Sequence, residues 1–272
     1  MGLTNKKMLL TLLSLCASTY LSADDSMVLS IGATSNHASY SYPGAESKTK
    51  GYGTIATLSK PVYNGWIGTG IIGYSSNNTD IDANSRHSDV DVTTLGLAAS
   101  KYIGHGRNVS FSALYGKTAI DSSEIVSGNP ASDSIDVNSW IFSGGLTQAI
   151  PQTFEGAMAL SAMVTTINNK TQSYTNASGT AVGRSTYDIS YLTVGAKQTW
   201  NTQGYTPYVS LQYNVSNEAF TTQTGDKTYF RWGTGVNKDL SKDMIVGLSF
   251  SKIFGKDYSS GDSLGFNLIK KF

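Results

Sequence analysis

Residues Ser263–Phe272, SLGFNLIKKF, alternate in side-chain character from one residue to the next. Leu264, Phe266 and Leu268 fall on one face of an extended chain; Ser263, Gly265 and Asn267 fall on the other. Successive side chains of a strand point to opposite faces, so this stretch reads as a strand with one apolar and one small polar face. Its ten residues are about the length a tilted strand needs to cross a bilayer's hydrocarbon layer. The apolar phase breaks once, at Lys270, and the chain ends on the aromatic Phe272.

The other end agrees. Lys6 and Lys7 precede an apolar run, Met8–Cys16, that is too short to span a membrane. Leu21-Ser22-Ala23 then offers a small residue for cleavage ahead of Asp24 and Asp25. Residues 1–23 therefore read as a secretory signal peptide, and residues 24–272 as the mature domain. Cys16 would be a lipid attachment site only if a Gly, Ala or Ser preceded it, and Leu15 stands there.

Removing the signal leaves 249 residues, enough for one large barrel. Cys16 is the only cysteine, so the mature chain has neither disulfides nor thiolate metal sites. Its 18 basic and 19 acidic residues give a net charge of −1. That balance argues against a nucleic-acid partner, which needs a basic face. No mature segment has an apolar run long enough for a membrane helix. The 16 Tyr and 28 Gly are high for a soluble domain. Membrane barrels use both, Tyr at the water–lipid girdles and Gly at close-packed walls and bends.

A period of two runs through almost the whole mature chain. About twelve strands are expected, beginning near Met27, Gly51, Gly65, Val90, Val109, Val137, Gly156, Tyr187, Pro207, Thr228, Met244 and Ser263. After Pro207, Val209, Leu211, Tyr213 and Val215 oppose Ser210, Gln212 and Asn214; after Met244, Val246, Leu248 and Phe250 oppose Gly247, Ser249 and Ser251. The strand after Gly65 is ambiguous in phase, because Ile71 and Ile72 fall on both faces.

Connections alternate in length. Short turns are expected at 59–64, 101–108, 150–154, 201–206 and 237–243, and longer polar loops at 36–50, 75–89, 118–136, 168–185, 216–227 and 255–262. This alternation marks a single antiparallel transmembrane barrel with short periplasmic turns and longer extracellular loops. Pro43, Pro61, Pro130 and Pro151 fall in connections, and Pro207 opens a strand, as a residue without an N–H must. Tyr63, Trp66, Tyr102, Trp200, Tyr205 and Tyr208 lie at strand ends, where an interfacial girdle would sit.

Tyr205–Tyr213 (YTPYVSLQY) resembles the TPY-x-x-L-x-Y segment of the autotransporter β-domain, followed by the polar loop Asn217-Glu218-Ala219-Phe220. As a motif the resemblance covers only these residues; as a pattern it covers most of 50–272. It implies a twelve-stranded barrel in the outer membrane of a Gram-negative bacterium, bathed in outer-membrane lipid. The last strand resembles the terminal strand of such barrels, which implies that Phe272 is read by the barrel-assembly machinery. One departure is large: the first strand begins within a few residues of Asp24, leaving no room for an N-terminal passenger or linker helix.

Other constellations carry less. Gly68-Thr69-Gly70-Ile71-Ile72-Gly73 matches the dinucleotide fingerprint, but the polar run Ser75–Asn84 follows where a helix is required. His37 and His87 fall in expected outer loops and His105 in a turn. Some outer-membrane barrels are hydrolases with a rim histidine, and His87 has Asp82, Asp89 and Asp91 nearby. Catalysis needs a base held on rigid strand ends, and a loop does not offer one. Asp80, Asp82 and Asn84 open like a calcium loop, but Ser85 replaces the turn glycine and Asp91 the closing Glu. Neither a cofactor nor a metal site is expected, and no catalytic residue.

Arg231 lies on the polar phase of its strand with Tyr229, Gly233 and Gly235, and is expected to face the lumen. On the lipid face a charge would cost about 2–4 kcal/mol at the midplane. A lumenal Arg braces a barrel through a carboxylate, for which Asp188 is a candidate, or sets an ion preference. Three functions compete, of which a rim hydrolase is the least favoured because histidines are few. A passive small-solute channel needs an open lumen; an adhesin or structural barrel needs only exposed loops, which would meet a host or surface ligand.

Overall fold

The structure, a computed structural model, describes residues 26–42, 45–82, 85–126, 128–153, 156–217, 227–254 and 259–272. The signal segment 1–23, Pro43, Asn84 and Glu218-Ala219-Phe220 lie outside the described residues.

Fourteen strands form among the described residues. Twelve close into one antiparallel barrel: β1 (Val28–Tyr42), β2 (Ala45–Pro61), β3 (Trp66–Ile81), β4 (Arg86–Gly104), β5 (Arg107–Val126), β6 (Asn129–Thr153), β7 (Gly156–Thr171), β10 (Ser185–Trp200), β11 (Tyr205–Ser216), β12 (Thr228–Ser241), β13 (Met244–Phe254) and β14 (Ser259–Lys271). β8 (Tyr174–Thr175) and β9 (Ala181–Val182) pair as a small hairpin between β7 and β10. Each barrel strand pairs with its neighbours in the chain, and β1 closes on β14 from Val28 opposite Lys271 to Tyr40 opposite Ser259. Closure leaves no strand edge, which is what lets a sheet sit in hydrocarbon, where an unpaired backbone group costs several kcal/mol.

At one end, here the turn end, connections are tight. Asn64-Gly65 and Gln203-Gly204 have consecutive positive φ (55° and 73°; 49° and 80°), the twist that matches the flanking strands. Register shifts near Gly104, Thr153 and Ser241 end the ladders at this same end.

The far end keeps long connections between Thr171 and Ser185 and between Ser216 and Thr228, but corrects the expectation of long loops elsewhere. The segments 75–89 and 118–136 are not loops. β3 continues to Ile81 and β4 starts at Arg86; β5 continues to Val126 and β6 starts at Asn129. β4, β5 and β6 are 19, 20 and 25 residues long, about twice the 9–11 residues that a bilayer requires. The barrel wall therefore projects well beyond the lipid.

The reason lies in a change of hydrophobic phase. On the outer face, Leu95, Leu97, Phe111, Phe142, Leu146, Leu160, Val164, Leu192, Val194, Leu211, Trp232, Leu248, Leu264 and Phe266 form an exposed apolar band. Beyond it, the outward positions become Asp89 and Asp91 on β4, Asp121 on β5, Asp136 on β6 and Asp188 on β10. There the apolar residues turn inward. On β4, Leu95 and Leu97 are 63% and 70% exposed, while Val90 and Val92 are 0% and 1% exposed. Ile120, Ile135, Val137, Ile167, Ile189 and Tyr191 make the same switch, and with Ile71, Leu114, Ile141 and Tyr229 they pack into one buried cluster. Apolar side chains follow whichever side excludes water: lipid outside within the band, the packed interior beyond it. The ambiguity at Ile71 and Ile72 is resolved the same way, with Ile71 buried in the cluster and Ile72 in the outer band.

Aromatics bound the band at both rims. Tyr115, Trp140 and Phe142 stack at the far rim. Lys101 lies over Trp66, and Lys238 over Tyr205, at the turn rim. Tyr208 departs from the girdle expected for it: it points inward.

The two halves of the wall should respond differently to charge. Leu97→Arg, at the middle of the band on β4, is expected to lower folding stability in lipid vesicles by about 2–4 kcal/mol. Asp121→Arg, outward but beyond the band, is expected to stay within about 0.5 kcal/mol. Urea titration of refolded protein reads both, and equal effects would place the band wrongly.

Candidate functional site: the barrel lumen and its far mouth

The inner wall has two parts, because the strands change what they turn inward. Toward the turn end it is built of small residues: Ser112, Ser143, Gly145, Ser161, Gly195, Ser210, Gly233 and Ser249 among others. Small side chains leave space along the axis. Toward the far end the buried cluster crosses the interior from β2 round to β12. The inner wall thus passes from mostly small residues to a buried cluster of Val, Ile, Leu and Tyr interspersed with buried Asn77, Ser88, Ser122 and Ser139.

Charge is sparse on this wall. Arg231 faces inward from β12 and is 8% exposed, opposite Gln212 on β11 and Ile253 on β13. Its Nε makes no hydrogen bond among the described residues. The ion pairs among those residues do not include it. The carboxylate considered for it from sequence is on the wrong face: Ile189 and Tyr191 point inward on β10, so Asp188 points out and is exposed. The phase change on β10 caused the misreading, since Asp188 sits beyond the lipid band. Sequence reasoning also missed a second inward cation. Lys197 on β10 is half-buried, with its Nζ 4.1 Å from the centroid of the inward Tyr208 ring.

At the mouth, Arg86 on β4 reaches Glu124 on β5 and Asp133 on β6, both at 3.8 Å. The Asp133 side chain is 1% exposed, so Arg86 holds the charge that burial would otherwise penalise. Tyr174 of the β8–β9 hairpin packs against the edge of the apolar cluster, which brings the hairpin over the mouth.

The histidines are held apart. His37 on β1 faces Asp262 at 3.7 Å, and His105 sits in the β4–β5 turn with a φ of 54°. His87 is on β4, not in a loop; its Nδ1 lies 2.8 Å from Asp80 Oδ1, and its Nε2 is 3.5 Å from Asp89. Asp80, read from sequence as part of a cation loop, is thus engaged by a histidine across the strand pair. The glycine fingerprint 68–73 runs within β3, which pairs onward with β4, so the strand-to-helix setting it requires is missing. At the terminus the Phe272 N–H donates to Met27 O at 2.9 Å, its ring is 63% exposed, and Lys270 Nζ lies 6.0 Å from it.

The hydrogen bond to Asp80, then the charges of Asp89 and Asp80, raise the His87 pKa above its ordinary value of 6.5. A raised folded pKa stabilises fully below the unfolded value and ceases to do so as pH rises through the folded one. The stability difference between wild type and His87→Gln should therefore be largest below about pH 6.5 and shrink at higher pH. Thermal unfolding of both proteins across that range checks it; a gap that widens with pH would contradict the pairing.

Comparison with known proteins places the barrel. The model of the autotransporter β-domain matches residues 27–251. No curated protein matches the sequence. Among solved structures, the translocator domain of autotransporter NalP from Neisseria meningitidis is similar, with a TM-score of 0.80 at 13% identity over 97% of this chain and 94% of that one. The transport unit of the autotransporter AIDA-I from Escherichia coli superposes with a TM-score of 0.69 at 12% identity, over 95% and 94% of the two chains. The Ralstonia pickettii toluene transporter TbuX gives 0.53 at 12% identity over 92% and 90%. The turn end is accordingly periplasmic and the far end extracellular. This chain belongs to the autotransporter β-domain family and is an integral barrel of the Gram-negative outer membrane.

Proposed function

We propose that this barrel is a passive channel for small solutes, held shut at its extracellular end by the apolar cluster. The observation that carries this reading is the two-part inner wall, mostly small residues on the periplasmic side and a buried, largely apolar cluster beyond. Twelve strands enclose a lumen wider than the eight-strand size that side chains just fill. Apolar constrictions gate channels by dewetting, so a narrow closure is enough to block ions. TbuX, named as a toluene transporter, supports the view that barrels of related shape carry small solutes. The signal peptide at 1–23 would deliver the chain to the periplasm, and outer-membrane lipid and the assembly machinery would be its partners there.

In planar bilayers the wild type should show small, infrequent openings. Ile135→Ser combined with Ile189→Ser, which wets the cluster, should raise mean conductance at least about threefold. Silence in both proteins, each with intact heat-modifiable mobility, would end the channel reading. It would favour a surface role for the extracellular wall, where β3–β7 carry a rigid, polar, Ser- and Asp-rich face suited to a ligand.

The exposed Phe272 at the periplasmic end is proposed as the assembly signal. Its deletion should lower the amount of heat-modifiable barrel in the outer membrane while leaving export across the inner membrane unchanged. Normal assembly would remove that role.

A further inference from the structure

We infer that the barrel lumen holds a binding site for a small oxyanion, a carboxylate or a phosphate, between Arg231 and Lys197. The inference deepens the channel reading and rests on it for its conductance arm only.

The site follows from register. Arg231 on β12 stands opposite Gln212 on β11, which stands opposite Gly195 on β10. Lys197 stands opposite Ser210, which stands opposite Gly233. The two cations are thus two strands apart and two residues offset, roughly 12 Å between Cα atoms by ordinary strand spacing. Both are long side chains directed into one lumen, and their reach covers that gap. The wall between them offers the Gln212 amide as a donor and the Ser210 hydroxyl, whose present bond to the Gly233 carbonyl is long at 3.5 Å. A Cβ at Gly195 would stand 3.2 Å from Gln212 Cγ, and one at Gly233 2.8 Å from Ser210 Oγ, so a larger residue at either position would crowd these donors.

Charge makes the case. Arg231 is more than nine-tenths buried and its Nε is unpartnered among the described residues. From Tyr187 to Thr199 on β10, Thr206 to Ser216 on β11 and Tyr229 to Asn237 on β12, the inward positions carry these two cations and no carboxylate. Glu124 and Asp133 on the inner wall are taken by Arg86 at the mouth. Among the described residues Lys197 forms none of the ion pairs, and its Nζ lies over the ring of Tyr208, whose face attracts a cation without neutralising it. Buried cations left unpaired are costly, and an oxyanion is the ligand that relieves both at once. Arg supplies a planar fork for two oxygens and Lys a point charge, a pairing suited to carboxylate and phosphate.

The test uses the refolded full barrel in zwitterionic detergent, titrated with inorganic phosphate and separately with acetate. Ionic strength is kept constant with a bulky sulfonate buffer. The expected result is a saturable rise in the thermal midpoint of heat-modified mobility with either anion. It should vanish in Arg231→Gln, fall in Lys197→Gln and persist in part in Arg231→Lys. A parallel zero-current measurement in a KCl gradient should give a chloride-over-potassium permeability ratio of about three, falling toward one in Arg231→Gln. If neither anion shifts the wild-type midpoint, the site is overturned, whether or not the variants fold. A midpoint response without conductance supports the site and sinks the channel reading alone. Conductance with cation preference and no midpoint response does the reverse.

Discussion

Every part of this molecule depends on the closure of β1 against β14. In hydrocarbon a backbone N–H or C=O has no water to turn to, and each unmade bond costs several kcal/mol. Twelve antiparallel ladders close the described wall on itself, and the pairing of Val28 with Lys271 places these two residues at the periplasmic rim. Phe272 owes its position to the same closure, since its amide caps the ladder onto Met27.

Once the wall is closed, solvent decides the side chains. Within the lipid band large apolar residues face out, and the inward positions are mostly small, with Ile71, Leu114 and Ile141 as inward exceptions. Beyond the lipid the same strands carry on with the opposite polarity, aspartates out and Val, Ile and Tyr in. The extracellular projection is in effect a water-soluble barrel core stacked on a membrane barrel. That core lies beyond the stretch of inner wall that bears the two inward cations, Arg231 and Lys197. Structure and candidate function therefore share one cause: the medium outside the wall changes along its length.

The division has energetic consequences. The cluster gains from burial at roughly 25 cal/mol per Å² of apolar surface. It gains nothing comparable in the band, where lipid is as apolar as the protein interior. Stability on the extracellular side thus rests on packing, whereas in the membrane it rests on hydrogen-bond closure. The ion triad of Arg86, Glu124 and Asp133 marks the outermost part of the inner wall, where charge can be kept only in company.

Several features were legible in the sequence. Alternation alone identified twelve strands, the outward faces of β11, β12, β13 and β14, and the inward phase of Arg231, because a period of two needs no knowledge of neighbours. That Asn64-Gly65 and Gln203-Gly204 carry their positive φ came from the structure, but short turns near 59–64 and 201–206 were visible in the sequence. The extent of the strands was not. Runs such as Ser75–Asp89 are polar outside and only partly apolar inside, so they read as loops until the opposite wall supplies a packing partner. The same blindness put Asp188 in the lumen and Tyr208 in the girdle, and it hid Lys197. Which medium a strand face meets is set by height above the bilayer and by what stands across the lumen. Both come from register and closure, which join residues more than two hundred positions apart, so only the tertiary structure decided them.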